Sequence, residues 1–322
     1  MNLTDTKPLF GFQRKGILEV LVHGAVWWKS KGQPAQGEDL EIPVITRSLL
    51  KPWQFLACDV AGTDAFWAVG MASHSAQPQH IEALDALARI GHASEDDLMC
   101  PRGYPLDWAA AAKLRLAGEK PRRLHHPCSG KHLLMVAACR KHGFPIENYW
   151  HEDHPIQERL FGLIGREVGE KVTWATDGCG LPTVAMPARV LLQMWEKLGT
   201  DSNPKVVELR RLWTQNPRLV GGFRRLDSDL VEAGRGKILA KEGADGLLAV
   251  QSLADGDEPS ATCIVKIDSG FSVPFLALGL WSHLSTRTDL PRPFAELTDY
   301  LRSRLEEWVP DDQELVISPI PS

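Results

Sequence analysis

The stretch His126–His132 has the sequence HPCSGKH, and its last five positions gather a thiol, a hydroxyl, an amine and an imidazole. It precedes the apolar run Leu133–Ala138, which Gly143 and Pro145 close. This order predicts a loop that leads into the N-terminus of a helix. Cys128 would then lie at the positive end of the helix dipole, where a thiol has a lowered pKa and its thiolate serves as a nucleophile or a soft metal ligand. The same residues equally fit an N-cap serine beside a small buried thiol, and both interpretations stay open.

The composition is typical of a globular protein with a small-molecule partner. The chain has 322 residues, of which 43% are hydrophobic, enough to bury a substantial core. Its formal net charge is −5, and it has no long run of like charges. This balance argues against nucleic-acid binding, so we expect a small-molecule substrate.

The cysteines and the N-terminal segment favour a cytoplasmic location. The six cysteines are scattered and form no C-x-x-C pair, which is unlike a disulfide framework. The segment Met1–Pro8 lacks the basic and apolar regions of an export signal. No window has the roughly 18 consecutive apolar residues of a membrane span. We therefore expect neither export nor membrane insertion.

Ser48 and Lys51 form an S-x-x-K arrangement directly before Pro52. Proline is tolerated in the first turn of a helix, so Ser48 should stand at or beside a helix N-terminus, with Lys51 one turn further on the same face. A desolvated, neutral lysine in this position accepts the serine proton during acyl transfer. The motif by itself also fits an N-cap serine and a solvated lysine.

Other polar segments follow predicted strands. The apolar run Phe66–Ala72 has the length of a buried strand and ends in Ser73, which is placed either for chemistry or to cap the next helix. The strand-like Val172–Ala175 ends in the loop Thr176–Thr183, either a plain turn or a location for working residues. The Asp-Gly pair within Ile238–Val250 predicts a hairpin. Further strands are expected at 16–28, 43–47 and 262–268, and helices at 81–90, 106–117, 155–168, 189–198, 204–214 and 273–284.

Several catalytic motifs are absent from the sequence. It contains no G-x-S-x-G elbow, no H-E-x-x-H, no Walker loop and no G-x-G-x-x-G. The motifs S-D-N and K-T-G, which accompany S-x-x-K in serine β-lactamases, are missing as well. A penicillin hydrolase is therefore disfavoured.

Taken in order along the chain, these segments resemble the Rhizobium etli-type L-asparaginases of the asparaginase II superfamily. Each motif is short, but their joint occurrence in family order, from about residue 15 to about residue 285, is specific. The segments that carry the resemblance are Arg47–Pro52, Ala72–Ser75, Cys128–His132, Asp153–Pro155, Thr176–Cys179, Leu181–Thr183 and Lys241–Gly246.

The resemblance implies a serine β-lactamase and glutaminase-like α+β fold, with an antiparallel sheet flanked by helices and a helical cluster. We expect one catalytic domain over residues 1–322, to which the tail after residue 286 adds no motif. We also expect a homodimer.

The activity that the resemblance implies is hydrolysis of L-asparagine to L-aspartate and ammonia. It implies two serine-lysine tandems, Ser48 with Lys51 and Ser73 with Lys241. In our interpretation Ser48 attacks the amide after Lys51 accepts its proton, and the second tandem relays protons and supports the oxyanion. Two alternatives stay open, a glutaminase of the same fold and a non-catalytic protein that binds zinc or a small amide.

The resemblance also implies a zinc ion near the substrate, held by Cys128, Cys179 and Lys131. Asp227 stands where the family has a further cysteine, and this harder, charged ligand would alter metal affinity or substrate preference. The substrate-binding residues expected on the same grounds are Arg47, His132, Asp177 and Asp227.

Overall fold

The computed structural model describes residues 6–169, 172–254, 258–268 and 273–317. The strands are β1 (Lys7–Arg14), β2 (Ile17–Ser30), β3 (Gln36–Gly37), β4 (Pro43–Ile45), β5 (Thr173–Thr176), β6 (Pro182–Pro187), β7 (Ile238–Gly243), β8 (Leu247–Ser252), β9 (Ala261–Ile267) and β10 (Glu314–Ile317). The helices are α1 (Lys51–Cys58), α2 (Pro78–Ile90), α3 (Trp108–Leu116), α4 (Ser129–His142), α5 (Pro155–Val168), α6 (Ala188–Thr200), α7 (Pro204–Gln215), α8 (Pro217–Val220), α9 (Leu226–Ala233), α10 (Val273–Ser285), α11 (Arg292–Ser303) and α12 (Leu305–Trp308). Short 3₁₀ helices lie at Arg47–Leu50, Ala65–Met71 and Glu95–Asp97.

The chain divides into two compact units. The first comprises Met1–Val44, Met186–Asp201 and Asp229–Ser322, and the second comprises Ile45–Ala185 and Ser202–Ser228. The expected single catalytic domain stays a prediction. No helix in the described part of the chain is long and apolar enough to cross a membrane.

The first unit is built on an antiparallel sheet with the strand order β10-β1-β2-β9-β8-β7, and β3 pairs with β2. Lys15 and Gly16 join β1 to β2, and both have the positive φ that a two-residue hairpin turn requires. Asp245 and Gly246 between β7 and β8 also have positive φ. The hairpin predicted from this Asp-Gly pair is confirmed.

Helices cover both faces of this sheet. Trp28 of β2 and Gln251 of β8 lie opposite consecutive residues of β9, so their side chains emerge on opposite faces. The ring of Trp28 packs edge-on against Phe294 of α11, with centroids 4.9 Å apart. Gly199 of α6 lies directly against the side chain of Gln251. The expected α+β class, with an antiparallel sheet flanked by helices, is confirmed.

The second unit contains the expected helical cluster, with α4 at its centre. Every residue of α4 from Ser129 to Cys139 is buried, and α1, α2, α5 and the 3₁₀ helix Ala65–Met71 pack around it. Gly130 allows the 3₁₀ helix to approach closely, because a Cβ there would lie 2.0 Å from the carbonyl oxygen of Val69. The predicted loop leading into a helix is therefore confirmed.

The strand predicted at Phe66–Ala72 is wrong, since this segment forms the 3₁₀ helix Ala65–Met71 and becomes extended only at Ala72. A short apolar run has no periodicity that separates a buried strand from a buried helix. In its helical form this segment packs against α4, and Gly70 lies against the side chain of Leu134.

Candidate active site

The N-terminus of α4 carries Cys128 as its N-cap residue and Lys131 in its first turn. The backbone N–H of Cys128 donates to Nδ1 of His126 at 3.1 Å. Cys128 and Lys131 retain only 8% and 1% of their surface. A thiol and an amine are thus held in a poorly solvated environment, where charges interact strongly.

Asp177, in the loop between β5 and β6, links Arg47 to Lys131 of this helix. Its Oδ1 accepts hydrogen bonds from Nε of Arg47 at 2.7 Å and from the N–H of Gly178 at 2.9 Å. Its Oδ2 lies 3.7 Å from Nζ of Lys131. Burial raises the pKa of Asp177, but Lys131 and Arg47 hold it below the usual range overall. Arg47 has a φ of 46°, a strained conformation for a residue with a side chain.

The side chains of Cys128 and Cys179 interact with each other, and the thiol of Cys179 also donates to Oδ2 of Asp177 at 3.9 Å. This interaction, together with the positive charge of Lys131, lowers the pKa of Cys128 despite its burial. The same interaction and burial raise the pKa of Cys179. Burial lowers the pKa of Lys131, but the charges of Cys179, Cys128 and Asp177 raise it overall. The environment therefore favours the thiolate form at Cys128 more than at Cys179.

The donor set fits a zinc ion. Thiolates are soft ligands that suit Zn²⁺, and Cys128 and Cys179 are both buried and free of disulfide bonds. Lys131 would have to lose its proton to become the third ligand. Among the described residues, no group of three or more His, Cys, Asp or Glu side chains is placed to hold a metal ion, so the site depends on this lysine. The zinc ion stays a prediction.

Lys51 is the first residue of α1 and is fully buried. Its Nζ donates to the carbonyl oxygen of Ala72 and, at 2.9 Å, to Oγ of Ser73. Ser48 lies in the 3₁₀ helix directly before α1, as the position of Pro52 predicts. Ser48 and Ser73 retain 9% and 7% of their surface. The lysine is thus shielded from water beside two largely buried serines, and the pairing of Lys51 with Ser48 stays a prediction.

The backbone around Ser73 is held on both sides. Its N–H donates to the carbonyl oxygen of Val220 at 2.9 Å, and Nη1 of Arg225 donates to its carbonyl oxygen at 2.8 Å. These bonds fix the position from which Oγ meets Lys51. Our interpretation of the sequence did not include Arg225, because nothing in its local pattern relates it to a residue 152 positions earlier.

His74 ties the same segment to α4. Its Nδ1 accepts from the N–H of Ala76, so Nε2 carries the hydrogen and donates to Oγ of Ser129 at 2.9 Å. The hydroxyl of Ser129 donates in turn to the carbonyl oxygen of Leu124 at 3.0 Å. Burial, followed by the charge of His80, keeps the pKa of His74 well below its usual range, so the ring is neutral. Both residues lie in segments that carry the resemblance, but their pairing has no sequence signal.

The remaining predicted residues lie in β7, α9 and α4. Lys241 belongs to the first unit, where it is fully buried in β7 opposite Ala249 of β8. Its partnership with Ser73 stays a prediction. Asp227 is buried in α9, and its Oδ1 accepts from the N–H of Ser228 at 3.0 Å. His132 is fully buried in α4.

The protein has an α+β fold in which a buried lysine contacts a serine hydroxyl. The family model for L-asparaginase II matches residues 11–307. The chain belongs to the L-asparaginase II family, which supports an asparaginase or amidohydrolase activity on a small-molecule substrate. No curated protein matches the sequence significantly. Among solved structures it is similar to a class A β-lactamase from Mycobacterium abscessus, with a TM-score of 0.39 and 13% identity over 88% of this chain and 94% of that chain. This likeness is too distant to bear on function.

Proposed function

We propose that the protein hydrolyses the side-chain amide of L-asparagine to give L-aspartate and ammonia. The observation that carries this proposal is the contact of 2.9 Å between the fully buried amine of Lys51 and the hydroxyl of Ser73. A lysine kept from water is favoured in its neutral form, which is the form that accepts a proton from serine. Membership of the L-asparaginase II family supports the amide as the substrate group.

In the proposed reaction Oγ of Ser48 attacks the amide carbon while its proton passes to Nζ of Lys51. The C–N bond of the tetrahedral intermediate then breaks, and the nitrogen leaves as ammonia with the proton that Lys51 held. Water attacks the resulting ester, gives one proton back to the serine oxygen and releases the β-carboxyl group of aspartate. Ser73 supports the oxyanion through its hydroxyl.

Arg47 and Asp177 suit the two charged ends of an amino acid. The guanidinium group of Arg47 is complementary to an α-carboxylate, and the carboxylate of Asp177 is complementary to an α-ammonium group. Their mutual hydrogen bond of 2.7 Å orients both groups. His132 completes the proposed substrate-binding set, and Asp227 is placed in it by the resemblance alone.

Cys128, Cys179 and Lys131 would hold the zinc ion. When bound, zinc would fix the site and contact the α-amino or carboxylate end of the substrate. The serine-lysine chemistry needs no further Lewis acid. The Rhizobium etli type, the homodimer and the cytoplasmic location belong to the same proposal, and light scattering of the purified chain tests the oligomeric state.

The test is ammonia release from L-asparagine and L-glutamine measured in parallel, with and without a chelator. Saturable release from asparagine supports the proposal, and faster release from glutamine would favour a glutaminase. Thermal stabilisation by asparagine without any ammonia would identify a binding protein instead.

Single substitutions distinguish the roles of Ser48 and Ser73. Ser48→Ala should remove nearly all turnover while the fold remains intact, and the exposed Ser202→Ala serves as the control. Full activity in Ser48→Ala together with loss in Ser73→Ala would assign the nucleophile to Ser73, which the contact with Lys51 already allows.

A further inference from the structure

Tyr149 connects the backbone of Met99 to the imidazole of His132. The N–H of Met99 donates to the phenol oxygen of Tyr149 at 2.9 Å, and this oxygen lies 2.6 Å from Nδ1 of His132. The carbonyl oxygen of Tyr149 accepts from Nε2 of Gln157 at 2.7 Å. Tyr149 and His132 are both fully buried, so this chain of bonds is shielded from water.

The direction of each hydrogen bond follows from the one before it. A backbone N–H can only donate, so the phenol oxygen of Tyr149 accepts from Met99. Among the described residues the phenol hydrogen has Nδ1 of His132 as its one acceptor, so the hydroxyl donates to it rather than remain an unpaired buried donor. Nδ1 of His132 is therefore the acceptor, and the ring hydrogen is on Nε2. This Nε2 is buried and has no hydrogen-bond partner among the described residues.

An unpaired buried donor is unfavourable, and native structures retain few of them. This one belongs to the candidate active site, because His132 follows Cys128 by one turn of α4 and directly follows Lys131. A substrate that enters the site would find a fixed N–H donor there.

We propose that Tyr149 is a positioning residue that holds His132 in the Nε2–H tautomer, so that the ring presents a buried donor to an oxygen atom of the amide substrate. The part that concerns the substrate rests on the proposed function. The tautomer itself does not, since it follows from the hydrogen bonds of the ligand-free protein. Tyr149 would act only through His132 and would not touch the substrate.

The experiment combines imidazole ¹⁵N NMR of the full-length chain with steady-state ammonia release. Wild type should show His132 as the Nε2–H tautomer. Tyr149→Phe should lose this preference and raise KM for L-asparagine about tenfold, with kcat changed less, because a lost neutral hydrogen bond weakens binding by about that factor. The control is Tyr104→Phe. The hydroxyl of Tyr104 donates to the carbonyl oxygen of Glu119 at 3.0 Å, and its removal should leave both measurements as in wild type.

A second pair of variants tests the same donor if Tyr149→Phe fails to fold. His132→Gln keeps an N–H near the position of Nε2, whereas His132→Leu removes it. We expect KM within about threefold of wild type for the first and at least about tenfold higher for the second. Equal KM values for the two would overturn the proposal.

The NMR spectra test the tautomer of His132, and the kinetics test the function. An Nδ1–H tautomer in wild type overturns the proposal whatever the activity, as does an unchanged tautomer and KM in folded Tyr149→Phe. Wild type that forms the Nε2–H tautomer but releases no ammonia would instead remove the proposed function, and with it the donor's role toward substrate.

Discussion

Replacement of Lys51 by methionine should separate activity from stability. Lys51 is fully buried, and methionine has a flexible apolar chain of similar length that retains most of the packing. The substitution removes the amine that contacts Oγ of Ser73 and the carbonyl oxygen of Ala72. The proposed proton acceptor is therefore lost while the surrounding helices keep their apolar contacts.

The expected magnitudes follow from these contacts. The carbonyl oxygen of Ala72 loses a donor, which costs about 1–3 kcal/mol in the free energy of unfolding. The unfavourable burial of the amine disappears at the same time and offsets a comparable amount. The net change should stay within about 2 kcal/mol, or a melting temperature within about 6 °C of wild type. Loss of a general base should lower kcat by about 100- to 10,000-fold.

The assay is ammonia release from L-asparagine at saturating substrate, together with thermal unfolding followed by circular dichroism. Lys113→Met in α3 is the matched control, since Lys113 is exposed and should change neither quantity. Turnover within about tenfold of wild type in a folded Lys51→Met protein would refute the role of Lys51 as the base.

Three further predictions concern separate parts of the chain. Protein purified without added metal should contain about one zinc ion per chain by elemental analysis. Cys128→Ser should lose this zinc, and the buried control Cys263→Ser should keep it. Equal zinc contents in the two variants would contradict the site. Lys241→Met should abolish most ammonia release while the protein stays folded, and wild-type rates would exclude Lys241 from the chemistry. Burial, and then the charge of Arg287, lowers the pKa of His283 to about 4. As the pH falls, His283 is therefore protonated in the unfolded chain before it is protonated in the folded protein. The free energy of unfolding should decrease by up to about 3 kcal/mol between about pH 6.5 and about pH 4. Urea unfolding at pH 7 and pH 4.5 measures this change, and an equal loss in His283→Gln would assign it to other groups.

Local chemistry made several elements of this fold predictable. The Asp-Gly pair at Asp245 needs only its own backbone preference to form a hairpin turn, and Pro52 needs only its missing N–H to place Ser48 before a helix. The apolar run after Ser129, closed by Gly143, likewise specifies α4 through neighbouring residues alone. These signals act over a few positions, so a single sequence contains them in full.

The resemblance to a family identified the residues of the candidate site, but it did not predict the contacts between them. Arg47, Lys131 and Asp177 were expected in one site, and the structure brings these three together. The helix at Ala65–Met71 and the positioning bonds of Arg225 and Tyr149 had no local signal.

The sequence by itself determined the hairpin turn at Asp245, the helix that begins at Ser129 and the family to which the chain belongs. The tertiary structure decided which groups meet. Ser73 reaches Lys51 across 22 positions and Arg47 reaches Asp177 across 130, distances over which no backbone preference acts. Such contacts form because packing buries the polar groups, and burial makes an unpaired charge or donor costly enough to require the partner it finds.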